Sequence, residues 1–110
     1  MKRIEKGNYI ILEDEKDDVK NFASFLIKYY NSFQNENVVV NILKYGQLSL
    51  EELLSFLKLS DKHRKAKKSF VIVNDTINID PVPEEMIVVP TLREAEDVIQ
   101  MEDIERDLGF

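Results

Sequence analysis

Short β-branched runs alternate along this chain with segments whose apolar residues recur at helical spacing, and that alternation constrains the fold more than any other feature. Asn37-Val38-Val39-Val40-Asn41-Ile42-Leu43 and Ser69-Phe70-Val71-Ile72-Val73 are apolar at nearly every position, the pattern of a strand covered on both faces. Ile87-Val88-Val89 repeats it. Between the first two runs, Ser49-Leu50-Glu51-Glu52 is a capping box that opens a helix expected to reach about Lys67. After the third, Thr91 and Glu94 form a second box at the start of a last helix, with Ala95, Val98, Ile99 and Met101 to Ile104 as its apolar positions and Gly109 as its stop. Buried strands separated by helices require crossover connections and hence a mostly parallel sheet.

The segment before these runs reads as a hairpin and a helix. Lys2 to Lys6 and Asn8 to Leu12 flank a turn at Gly7-Asn8. Asp14 or Asp17 is positioned to cap the helix that follows, whose apolar residues Val19, Phe22, Ala23, Phe25, Leu26, Tyr29 and Tyr30 predict one wide buried face. Asn74 to Met86 contains two prolines and reads as loop, with at most a brief extended piece at Ile77-Asn78-Ile79. The expectation is an α/β domain over residues 1–110, with a mostly parallel sheet of about five strands and three helices in the order β-β-α-β-α-β-loop-β-α.

Composition removes whole classes of function. The chain has no Cys, which excludes disulfides, thiolate catalysis and Cys-ligated metal sites and suits a reducing compartment. No apolar run approaches the roughly 18 residues of a membrane span, and no apolar stretch follows the charged Met1 to Lys6 as a secretory signal would require; a cytoplasmic protein is expected. Net charge is −6, which disfavours broad binding to a nucleic-acid backbone. The charge is uneven, with basic residues at Lys62, Arg64, Lys65, Lys67 and Lys68 and acidic ones at Glu13 to Asp18 and Glu94 to Asp107. The basic group lies where the negative end of a helix dipole favours it, and it is also the one candidate for contact with RNA or another anion.

Catalytic chemistry finds little to work with. His63 is the only histidine, so a His-rich zinc site is excluded and a serine nucleophile lacks its usual apparatus. A structural role is expected for it, near a helix end where the dipole favours a protonated imidazole. The three glycines are far apart and form no phosphate loop. No metal, cofactor or catalytic residue is assigned; the carboxylates of Glu13 to Asp18 are the one cluster considered for a divalent cation, and acidic groups of this kind are ordinarily solvated surface.

From Asn41 through Val73 the chain resembles the STAS domain, the fold of anti-sigma factor antagonists and of the cytoplasmic tails of sulfate transporters. Aligned without a gap, the family's strand-end Asp falls at Asn41 and its Asp-Ser-Ser-Gly segment at Ser49-Leu50-Glu51-Glu52. Its Leu-rich helix falls on Leu53 to Lys68, its next strand on Phe70 to Val73, and its closing Ser/Thr-Leu-x-x-Ala start on Thr91 to Ala95. The resemblance covers most of the chain and rests on element order and spacing. It implies a non-enzymatic, regulatory protein-interaction module whose docking edge contains Tyr45, Gln47, Ser49 and Leu50. Two departures are plain: Leu50 stands where the antagonists carry a phosphorylated serine, and the helix between the last two strands is missing. Ser49 has a hydroxyl but is accounted for as a helix cap. The chain is also similar to short stand-alone proteins that carry a ribonuclease Z label; with one histidine it cannot hold that enzyme's metal cluster, so the similarity implies at most an accessory role in RNA processing.

Overall fold

The computed structural model describes residues 1–109. One five-stranded sheet runs through it in the order β1 (Lys2–Glu5), β2 (Ile10–Glu13), β3 (Val38–Asn41), β4 (Phe70–Val73), β5 (Ile87–Val89). Strands β1 and β2 are antiparallel; every later pair is parallel. Gly7, at φ +82°, begins the hairpin turn, the position that a type II′ turn reserves for glycine. The α/β class and the mixed sheet agree with the sequence reading. No strand forms at Ile77–Ile79, and the connection from β4 to β5 is irregular, as its prolines foretell.

Strand alternation divides the core into two layers. Ile10, Leu12, Val38, Val40, Phe70 and Ile72 point to one face. There α1 (Val19–Lys28), α2 (Leu50–Leu54), α3 (Leu57–Lys65) and the loop after β4 cover them. Tyr9, Ile11, Val39, Val71 and Val73 point to the other face, where α4 (Leu92–Asp107) supplies Ala95 and Ile99. All the crossovers between parallel strands therefore lie on one side, and α4 alone covers the other. Among the described residues no helix is long and apolar enough to cross a membrane.

Several local expectations change. Asp18, not Asp14 or Asp17, caps α1, accepting from the backbone N–H of Asn21 at 3.1 Å. Phe25 and Tyr29, expected in the buried face, are exposed and stack on each other with ring centroids 4.4 Å apart; the sheet accommodates a narrower stripe of Val19, Phe22, Ala23 and Leu26. The helix expected from Leu50 to Lys67 is broken at Ser55–Phe56, where the amides reach back three residues, to Glu52 and Leu53, in the tighter 3₁₀ manner. That break turns the Phe56 ring into the core, edge-on to Phe22. The chain leaves α3 at Lys67, a non-glycine residue at φ +67°. Its amide reaches Arg64 and that of Lys68 reaches His63, the paired bonds of a Schellman stop. Thr91 caps α4 by accepting from Glu94 N–H at 3.1 Å, a simple cap in place of the expected box, since the Glu94 carboxylate does not reach back to it. Met101 and Ile104, expected to help bury α4, are exposed instead.

Candidate functional site

The carboxyl ends of β2, β3 and β4 form one edge of the sheet, and side-chain amides shape it. Both central strands end alike, in Val-Val-Val-Asn and Val-Ile-Val-Asn. Asn41 donates to the Glu13 carboxylate at 2.7 Å and accepts from the amide of Leu43 at 3.1 Å. Asn74, buried beyond β4, donates to the carbonyls of Ile42 and Gly46 at 3.2 and 3.0 Å and accepts from the amide of Thr76 at 2.9 Å. The Thr76 hydroxyl also meets the Gly46 carbonyl, at 2.8 Å. These bonds tie the loop after β3 to the loop after β4 and hold Gln47 to Leu50 in place. Sequence reasoning missed Asn74 and Thr76. The signal was present in the repeated strand-terminal Asn, a residue that bonds backbone groups one or two residues on.

The four residues expected at the docking edge are brought together on this loop, but they differ in availability. Tyr45 is half-buried and its hydroxyl donates to the Asp14 carboxylate. Burial first, and then the carboxylate beside it, push that phenol far above its ordinary value, so it stays a donor and a tether. Gln47 is exposed. Leu48 belongs to the core, whereas Leu50 is 36% exposed. Leu50 borders a cleft of about 190 Å³ whose other walls are Gln47, Leu48, Thr76, Ile77, Asn78 and Pro81. Ile79, in the same loop after β4, is 58% exposed.

Ser49 does what the capping pattern requires. Its hydroxyl accepts from Glu52 N–H at 3.1 Å, and the Glu52 carboxylate accepts from Ser49 N–H at 3.0 Å. Ser49→Ala is therefore expected to cost about 1 kcal/mol of stability, while Ser49→Asp, which caps comparably, should cost little. Urea unfolding of the two variants is the check; an Asp variant less stable than the Ala variant would refute the capping role.

The basic residues do not make one surface. Arg64 pairs with Glu102 of α4 at 2.5 Å, and the Lys62 ammonium sits 4.6 Å over the Tyr30 ring. Lys65 is exposed, while Lys67 and Lys68 border a small mixed-charge seam with Glu102, Glu105 and Arg106. The acids of the β2–α1 segment are likewise dispersed: Glu13 is held by Asn41, Asp14 by Tyr45, Glu15 by the Met1 ammonium, Asp17 by Lys44, and Asp18 caps α1. Among the described residues no three His, Asp or Glu side chains converge as a metal-ligand set.

His63 is fully buried, and its surroundings favour the neutral ring, not the protonated imidazole expected at a helix end. Its Nε2 lies 2.6 Å from the Glu36 carbonyl, which can only accept, so Nε2 carries the proton. Nδ1, 2.8 Å from the Tyr30 hydroxyl, then accepts. Burial pushes the imidazole below its ordinary value, and Lys68 and Arg64 act in the same direction, while the Glu36 carbonyl opposes them.

No protein-family model matches the chain, and no curated protein matches it significantly.

Proposed function

We propose that the chain is a STAS-like, non-enzymatic interaction module that docks another protein on the edge formed by the loop from Tyr45 to Leu50 and the loop after β4. The observation that carries this reading is Leu50: a large apolar side chain, 36% exposed, at the rim of a cleft with mixed polar and apolar walls, on a loop that the buried Asn74 amide holds fixed. A preformed apolar anchor beside polar groups suits an interface, because little ordering entropy is lost when a partner covers it. The STAS-like assignment is supported by element order, by the Ser49 helix start one loop beyond β3, and by the Thr91 start of the last helix. With Leu50 at the family's phosphoserine position, docking at this edge is constitutive, without a kinase switch there.

Leu50→Glu is the test. A carboxylate in the first turn of a helix is electrostatically tolerated, and about a third of Leu50 already meets water, so the melting temperature should hardly move. Partner recovery from the native cytosol should be lost. Recovery equal to that of the unaltered chain, at unchanged stability, would remove this edge from consideration. Salt-sensitive retention on heparin or tRNA, abolished by charge reversal at Lys62, Lys65 and Lys67, would favour an accessory RNA factor instead.

A further inference from the structure

Helix α4 is apolar on two opposite faces, and the sheet uses only one of them. Ala95 and Ile99 are completely buried against the sheet. Met101, Ile104 and Leu108 are 57%, 59% and 67% exposed. At about 3.6 residues per turn, Leu108 lies two and a half turns beyond Ile99 and so faces the opposite way. Met101 and Ile104 fall within a narrow arc beside it, and the spacing of three and then four residues is that of a helix–helix packing seam.

The charges around the seam say what can cover it. Glu102, Asp103 and Arg106 are turned inward, into bonds with Arg64, Asn8 and Asn37. Outside those bonds, the exposed charged side chains of α4 are Glu94, Asp97, Glu105 and Asp107, all acidic, and a single base, Arg93, one turn before Asp97. A second copy docked through the same stripe would set acid against acid across the contact, between chains that each carry −6, and like charges facing each other across an interface are destabilising. A helix whose apolar ridge is flanked by Lys or Arg would meet more opposite than like charge there, four acids of α4 against Arg93 at one end and Lys67 and Lys68 beside Glu105 at the other.

We infer that the outward face of α4, with Met101, Ile104 and Leu108 as anchors and Asp97, Glu105 and Asp107 as its rim, is a second docking surface whose occupant is a basic amphipathic helix of another protein. It lies on the opposite side of the sheet from the Leu50 edge and does not depend on that reading. If both surfaces are occupied, the chain bridges two partners.

The experiment uses the full chain and three labelled peptides of about three heptads each: one with Leu at the seam positions and Lys beside them, one with Leu and Glu, and one with Ser and Lys. Binding followed by fluorescence anisotropy should be seen for the Leu/Lys peptide alone and should weaken with salt. Ile104→Glu should reduce it about tenfold or more at an unchanged melting temperature; Met101→Glu and Leu108→Glu serve in its place if that variant is unstable. Glu105→Lys should reduce binding as well. Equal binding of the Ser/Lys peptide would show attraction to net charge only, and equal binding of the Leu/Glu peptide would show apolar contact without the acidic rim; either result overturns the proposal. So does binding unaffected by any of the three seam substitutions. A dimer in sedimentation that Ile104→Glu dissociates would also overturn it, assigning the face to a second copy.

Discussion

His63→Ala is expected to lower the unfolding free energy by about 2–4 kcal/mol, because it removes packing and strands two hydrogen-bonding groups at once. The imidazole stands edge-on to the rings of Tyr30, Phe33 and Phe70, with centroids 5.5, 6.3 and 6.0 Å away. Without it, the buried Tyr30 hydroxyl and the Glu36 carbonyl lose their partners. The pH dependence has a definite sign. The folded imidazole lies below its ordinary value of 6.5, so on acidification the unfolded chain takes up a proton that the folded chain refuses. Stability is full above about pH 6.5 and is lost as pH falls from there toward the folded-state value. Since His63 is the only histidine, urea unfolding at about pH 7.5 and about pH 5.5 isolates the effect from most carboxylate titration. His63→Gln should flatten that acid slope. An equal slope in that variant would refute the assignment.

Asn37→Ala should be comparably damaging, at about 2–4 kcal/mol, through unpaired groups and not through lost volume. Asn37 is 8% exposed at the start of β3. Its amide nitrogen donates to the Asn8 carbonyl at 3.0 Å and to Asp103 at 3.2 Å; its oxygen accepts from Ser69 N–H at 3.0 Å and from Arg106 at 3.3 Å. Burial works to raise the Asp103 carboxyl, but hydrogen bonds from Arg106, Asn8 and Asn37 outweigh it and hold the group below its usual range. Asn37→Asp keeps the acceptor and replaces the donor with a charge facing Asp103, so it should be no milder than Ala. Thermal unfolding of both variants decides the matter, and an Asn37→Asp protein as stable as the unaltered chain would contradict this account of the network.

What the sequence made legible follows from how local each signal is. The β-branched runs, the Ser49 and Thr91 caps and the proline-broken loop depend on neighbours in the chain, and they sit where the residues indicate. The end of α3 was obscured because a lysine, not a glycine, takes the left-handed position at residue 67. Phe25, Tyr29, Met101 and Ile104 have helical spacing yet face solvent, because periodicity fixes which residues share a face but not how much of that face a neighbour covers. At the candidate site, the sequence indicated the Ser49 cap, which the structure forms. The bridging amides of Asn74 were hidden, since its partners lie 32 and 28 residues away. Tyr45, which the resemblance places at the docking edge, is engaged by Asp14 across 31 residues.

The sequential strand order bears on how the molecule assembles. Every strand pairs with the one before it in the chain, so each β-α unit can dock on a template already formed, and loop-closure cost is met in short steps. Such an order alone would let the sheet grow or fray from its last strand. The bond from Asn8 to Asp103 spans 95 residues and ties the first turn to the final helix. That tie can form only after everything between is in place. It follows that Asn8→Ala should speed unfolding while leaving the folding rate nearly unchanged. A folding arm slowed as much as the unfolding arm is accelerated would place the tie in the transition state instead. In folding terms, then, α4 is a latch: it turns a fold that could peel apart unit by unit into one that opens as a whole.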